Sequence, residues 1–260
     1  MTNNPLSPSR YDSNQYFKNQ LPKYLSKTKN LIDIGCGKLY FLKMLQTDIN
    51  NFDGNYFGID ITIPHVTEKL QKTSNIKFKK ISVLDFRTNK KFDTAVCLWV
   101  LEHIEGDELA LDKMNKLLKR KGVLVIAAPS IWSWPFEFGR HGFHYYSKIK
   151  LNNMINLSGF RVLENYSAGG LLGDLFMIFY NWQRFLILIP LYFIHKPFSI
   201  FGKKTSWEDI SKRVIVNTVY RYHRSSRLVN IHNEIVKTIV KFDNKFKILP
   251  ASYIIIAQKK

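Results

Sequence analysis

Short apolar runs that alternate with helical stretches constrain this chain more than any other feature. "LIDI" (31–34), "NYFGID" (55–60), "IKFKKISVLD" (76–85), "FDTAVCLWVLEH" (92–103), "GVLVIAAPS" (122–130) and "FRVLENYS" (160–167) all have strand length and composition. Helical spacing of apolar residues follows in "ELALDKMNKLLKRKG" (108–122) and "SKIKLNNMINLSGF" (147–160), each ending at a glycine or just before one. A strand, a helix and another strand in turn return only as a parallel crossover. "ASYIIIAQKK" (251–260) adds a last strand. The expected fold is therefore α/β: a Rossmann-like, doubly wound, mostly parallel seven-stranded sheet.

Four segments follow from this pattern. Residues 1–30 form an N-terminal helical segment anchored by Tyr16, Leu21 and Tyr24, with Pro22 as an irregularity. Residues 31–167 form the α/β core, 168–250 an apolar and basic helical insertion, and 251–260 the final core strand. Within the insertion, Phe185–Ile194 is the longest clean apolar run, about half a membrane span. That length suits a lid over the core or a segment lying in one leaflet, flanked by Arg184, Lys196, Lys203 and Lys204. Further on, Leu228, Ile231, Ile235, Ile239, Phe242 and Phe246 share one helical face.

Lys and Arg number 39 against 20 Asp and Glu, a formal charge of +19. An anionic partner suits that balance, whether nucleic acid, phosphorylated substrate or anionic membrane; so does a simply solvated surface. The two cysteines, Cys36 and Cys97, fall in core strands or turns, which disfavours a disulfide scaffold and points to the cytoplasm; the apolar insertion with its basic flanks adds the expectation of peripheral contact at the inner membrane face. "MTNNPLSPSRYDSNQ" has no apolar h-region of a secretory signal. No His, Cys and carboxylate cluster has metal-ligand spacing.

"LIDIGCGKLYF" (31–41) is where chemistry enters. A buried strand runs into Gly35-Cys36-Gly37, whose glycines permit positive φ and close backbone approach, and the following helix aims its N-terminal amides at the same place. Ligands of open α/β sheets sit there, beyond the carboxyl ends of the strands. Acids close the neighbouring strands at Asp60 and Asp85. They suit a cationic ligand, whereas a phosphate loop would want Lys or Arg. Alone, each acid could instead cap a helix.

"LIDIGCG", "FGID", "VLDF", "FDTAVCLWVLEHI" and "KGVLVIAAPS", in this order, resemble the class I S-adenosylmethionine-dependent methyltransferase family, specifically its small-molecule quinone, lipid and glycan branch. The resemblance covers residues 28–165 and the final strand. It implies S-adenosylmethionine as cofactor. Gly35, Cys36 and Gly37 would lie under its methionine and ribose, Asp33 near the ammonium, Asp60 and Ile61 at the ribose, Asp85 and Phe86 at the adenine, and Leu98 at the fourth strand tip. The third glycine of many members is replaced here by Leu39, and position 40 is Tyr, which breaks a G-x-G-x-x-G dinucleotide fingerprint.

Methyl transfer to a hydroxyl is helped by a base. Glu102 and His103 after the fourth strand, and His141 and His144 in "GRHGFHYYS", are the candidates; His103 reads equally as a hydrogen-bonded structural histidine. No N-P-P-Y, D-P-P-Y or Pro-Cys stretch follows that strand, which argues against amino-group methylation of bases and a cytosine-type covalent route. The expected acceptor is a hydrophobic or lipid-linked small molecule, methylated at oxygen. An RNA methyltransferase, or a non-catalytic cofactor-binding module of the same fold, is the alternative.

Overall fold

The structure is a computed structural model; it describes residues 5–47, 49, 52–63, 75–134, 142–180 and 226–260. The chain forms two compact units. One comprises Asp12–Ala168 with Leu249–Lys260, the other Met1–Tyr11 with Gly169–Ile248.

The first unit holds a seven-stranded sheet. Its strands are β1 (Asn30–Ile34), β2 (Asn55–Asp60), β3 (Ile76–Lys80), β4 (Phe92–Leu98), β5 (Leu118–Pro129), β6 (Phe160–Ala168) and β7 (Ser252–Lys259). Their order is β3-β2-β1-β4-β5-β7-β6. β1 to β5 pair in parallel, and β7 runs antiparallel to both β5 and β6. The helices are α1 (Pro8–Leu25), α2 (Tyr40–Thr47), α3 (Asp107–Leu117), α4 (Lys148–Leu157) and, in the second unit, α5 (Ser226–Phe246).

Side-chain alternation along the strands splits the core into two layers. Ala95 and Cys97 of β4, with Ile255 and Ala257 of β7, meet Ala110, Leu111 and Met114 of α3 and Leu151 and Ile155 of α4. Val96, Ile254 and Ile256 face the other way, toward Phe17 and Leu21 of α1 and Phe41, Leu42 and Leu45 of α2. Both cysteines are buried and free. α1 continues through Pro22, and the Pro22 carbonyl still accepts the Ser26 N–H at 3.1 Å.

Three boundaries differ from the sequence expectation. β3 stops at Lys80, and Asp85 lies in the turn beyond it. β4 ends at Leu98, and Leu101–His103 make one 3₁₀ turn. α3 ends at Leu117, so the basic run Lys119–Lys121 opens β5 rather than closing the helix. The physical reason is an irregular pairing. Leu118 pairs with Phe92 and Val123 with Thr94, so Lys119–Gly122 bulge out of the ladder, with Lys121 at φ 60°.

In the second unit, residues 171–180 are helical. Asp243 of α5 accepts the N–H groups of Leu172 at 3.1 Å and Gly173 at 2.8 Å, which satisfies donors that a helix start leaves open. A Cβ on Gly170 would come within 2.7 Å of the Asp243 carboxylate, so that glycine is needed for the approach. His232, packed against Phe176 and Tyr180, bonds the Leu6 carbonyl at 2.8 Å. The face of α5 that is buried carries Val229, His232, Val236, Val240 and Asp243. The expected apolar face is present but largely exposed: Leu228, Ile231, Ile235, Phe242 and Phe246 are 44–60% accessible, and Ile239 is half-buried. Phe185–Ile194 lies outside the described residues. Among those described, no helix is long and apolar enough to cross a membrane.

Candidate active site

The order of strands reverses between β1 and β4, and the glycine turn leaves the sheet there. Gly35 and Gly37 take φ of 73° and 42°, and Leu39 follows at 61°. Leu39, which stands where many relatives carry glycine, thus adopts the left-handed backbone with a buried leucine side chain. The Gly35 and Cys36 N–H groups both donate to the Ile59 carbonyl of β2, at 2.8 and 3.1 Å. A Cβ on Gly35 would lie 2.2 Å from Val100 Cγ2, so its glycine is demanded by packing as well as by φ. At Gly37 the space is open: a Cβ would meet only Asp60 Oδ2 and the Gly35 carbonyl, both at 3.7 Å.

Asp60, the last residue of β2, braces this turn. Its Oδ2 accepts the Gly37 N–H at 2.8 Å, and its Oδ1 accepts the Thr62 N–H at 2.8 Å and hydroxyl at 3.2 Å. Ile61 beside it is exposed. Asp85 is exposed at the tip beyond β3, while Phe86 turns into the core 5.6 Å from Phe57. Asp33 sits lower in β1, buried, and accepts the Tyr56 hydroxyl. Burial lifts its carboxyl to about 7, against the lowering effect of the Tyr56 bond and helped by the nearby Asp60 charge. Burial, then Asp33 and Asp60, push the Cys36 thiol up, so Cys36 is no nucleophile.

The arrangement fits an adenosyl donor in two respects. Gly37 leaves room for close backbone approach, and acceptor capacity remains on Asp60, which has taken three hydrogen bonds, and on the exposed Asp85 in the turn beyond β3. Leu98 closes β4 opposite them and is half-buried.

The candidate bases cluster after β4. Glu102 is buried, and its Oε1 lies 3.9 Å from Nε2 of the exposed His103. The Glu102 carbonyl accepts the N–H groups of Phe143 at 2.7 Å and His144 at 3.2 Å, which ties the two segments together. His144 Nε2 is 3.0 Å from the Glu105 carbonyl and 3.8 Å from Asp107 Oδ2. A carbonyl only accepts, so Nε2 donates and the neutral ring keeps its lone pair on Nδ1. Asp107 also accepts the hydroxyl of the buried Tyr146 at 2.9 Å. His141 lies outside the described residues. Among those described, no group of three or more His, Cys, Asp or Glu side chains could hold a metal.

Sequence reasoning missed four contributors. Asp107 lies 3.8 Å from His144 Nε2 and accepts the Tyr146 hydroxyl, Tyr56 bonds Asp33, and Trp99 stands beside the glycine turn at φ 54°. Only Trp99 carried a signal, as a bulky aromatic directly after a strand tip.

A family model described as a methyltransferase domain matches residues 10–165. A ubiquinone biosynthesis O-methyltransferase of Rickettsia bellii is 26% identical over 100 residues, 37% of this chain and 40% of that protein. The chain thus spans well under two thirds of that relative. Among solved structures, a putative sarcosine dimethylglycine methyltransferase from Galdieria sulphuraria superposes with a TM-score of 0.57 at 13% identity, covering 96% of this chain and 86% of that one. The N-methyltransferase NodS from Bradyrhizobium japonicum, in complex with S-adenosyl-L-homocysteine, gives 0.50 at 21% identity over 65% and 83% of the two chains.

Proposed function

The chain belongs to the methyltransferase domain family; we propose that it is an S-adenosylmethionine-dependent methyltransferase whose acceptor is a hydrophobic or lipid-linked small molecule, methylated at oxygen at an anionic membrane surface. The observation that carries the donor site is the Gly35–Gly37 turn, left-handed, open at Gly37 and braced by Asp60 at the strand-order reversal. S-Adenosylmethionine, when bound, supplies an electrophilic methyl on a positively charged sulfur. The chain's part is to hold and orient, and orientation can be worth roughly 7–11 kcal/mol. Asp60 and Asp85 would accept hydrogen bonds from the adenosyl portion. His144, with Nδ1 free to take a proton and Nε2 fixed by Glu105, is the acceptor's base.

Two observations support an apolar acceptor and a lipid surface. Beyond the tip of β5, on the same rim as the glycine turn, Ile131, Trp132, Trp134 and Phe143 are exposed; such a cluster is the chemistry of an apolar binding wall. In the second unit, the exposed apolar stripe of α5 shares its helix with Lys237, Lys241 and Lys245, the pattern of a helix lying in a lipid interface.

The test is calorimetric binding of S-adenosylhomocysteine, followed by transfer of labelled methyl to lipid and RNA fractions. Label in the lipid fraction, with binding weakened about tenfold or more by Asp60→Asn, is the expected result. Label confined to RNA would replace the acceptor and favour the reading that the +19 charge suggests. Flotation with anionic vesicles checks docking: parent protein rises, and a double Ile235→Ser, Phe242→Ser variant stays below.

A further inference from the structure

The donor is a cation at its sulfur, and the acids nearest the glycine turn already have protein partners. Asp33 is buried under the Tyr56 hydroxyl, and Asp60 carries the Gly37 and Thr62 N–H groups. Another group of suitable chemistry stands next to them. Val96 pairs with Asp33, so the chain beyond β4 leaves the sheet beside the turn, and Val100 packs directly on Gly35. Trp99 lies between these points.

Its conformation is unusual. At φ 54° it holds the left-handed backbone, a genuine outlier for so bulky a side chain. Such outliers persist only where the surroundings over-determine them, and they gather at functional sites. The surroundings here are explicit. The Trp99 N–H donates to the Ala127 carbonyl at 2.7 Å. Tyr40, the first residue of α2, meets the indole edge-to-face at 6.0 Å and 71°, and Phe17 of α1 does so at 6.2 Å and 79°. Tyr40 is itself bonded to Asn14. The indole is thus locked from two helices, one of which begins just past Gly37, and stays half-buried rather than sealed in the core.

From this geometry we infer that Trp99 is a donor-positioning residue whose indole recognises the positive charge of the sulfonium, so that the enzyme distinguishes the charged donor from its neutral demethylated product. Indole is the aromatic side chain best suited to a cation, and the attraction grows when water is excluded. Preference for donor over product would relieve product inhibition. The inference rests on S-adenosylmethionine being the donor.

Titration calorimetry at pH 8 tests it without any acceptor, using S-adenosylmethionine, S-adenosylhomocysteine and sinefungin, which carries an ammonium in place of the methylated sulfonium. Trp99→Leu weakens S-adenosylmethionine and sinefungin about tenfold and S-adenosylhomocysteine by no more than about twofold, with Trp99→Phe in between. Tyr40→Leu, which removes one clamp and leaves the indole, shifts the same ratio by about threefold and keeps the test open should the Trp99→Leu chain fail to fold. Equal weakening of all three ligands, or none, would make Trp99 a packing residue and overturn the inference. A parent protein that binds none of the three would instead overturn the donor reading, and this inference with it.

Discussion

α3 and α5 are both amphipathic, and the structure treats their apolar stripes in opposite ways. In the sheet unit, Ala110, Leu111, Met114 and Leu117 of α3 are buried against β4, β5 and α4. In the second unit, the stripe of α5 from Leu228 to Phe246 is exposed, and the buried face lies roughly a quarter of a turn away. That buried face includes His232 and Asp243, two polar residues satisfied by main-chain groups. The contrast teaches that helical periodicity reports an apolar face and says nothing about its cover. A sheet covers α3; for α5 we propose lipid.

Buried carboxylates give the contrast its largest expected effect. Burial above all raises the Asp33 carboxyl in the sheet to about 7, whereas Asp243 answers two N–H donors. An acid whose folded value is raised adds stability that is complete below the unfolded value near 4 and is lost as pH rises through about 7. Chemical denaturation should therefore show the parent losing about 4 kcal/mol more than the Asp33→Asn variant between pH 4 and pH 8. Next in size, Met114→Ala should cost about 3 kcal/mol, the usual effect of a cavity beneath a covered helix. Asp243→Ala, by leaving the N–H groups of Leu172 and Gly173 unanswered, should lower stability by about 2 kcal/mol in thermal unfolding. Smallest of all, Ile235→Ser should change stability by less than about 0.5 kcal/mol while abolishing vesicle flotation in combination with Phe242→Ser. A loss above about 1 kcal/mol for Ile235→Ser alone would mean that protein, not lipid, covers the stripe.

A second pairing within the sheet unit is held by one acid. Glu164 of β6 accepts from Tyr16 and Lys23 at 2.6 Å each, and from Tyr24, so it fastens α1 to the sheet edge. Burial is the largest single influence on its carboxyl and raises it, but the three donors together outweigh burial and hold it below the ordinary range. Nothing in the sequence pattern linked residue 164 to residues 16–24, because the partners are far apart in the chain and meet only through topology.

The sequence alone determined the strand and helix alternation, the left-handed glycine turn and the acid that closes β2. Each is local: period, φ and the residue that ends an element are written within a few positions. Asp60 closing β2 and Gly35 following β1 were legible in that way. Tertiary structure alone decided the antiparallel seat of β7 between β5 and β6, the burial that raises the Asp33 carboxyl, the Asp107 and Glu105 neighbours of His144, the clamp of Phe17 and Tyr40 on Trp99, and which face of α5 is covered. These depend on what distant segments bring to within a few ångströms, and a side chain's neighbours set both its charge and its exposure.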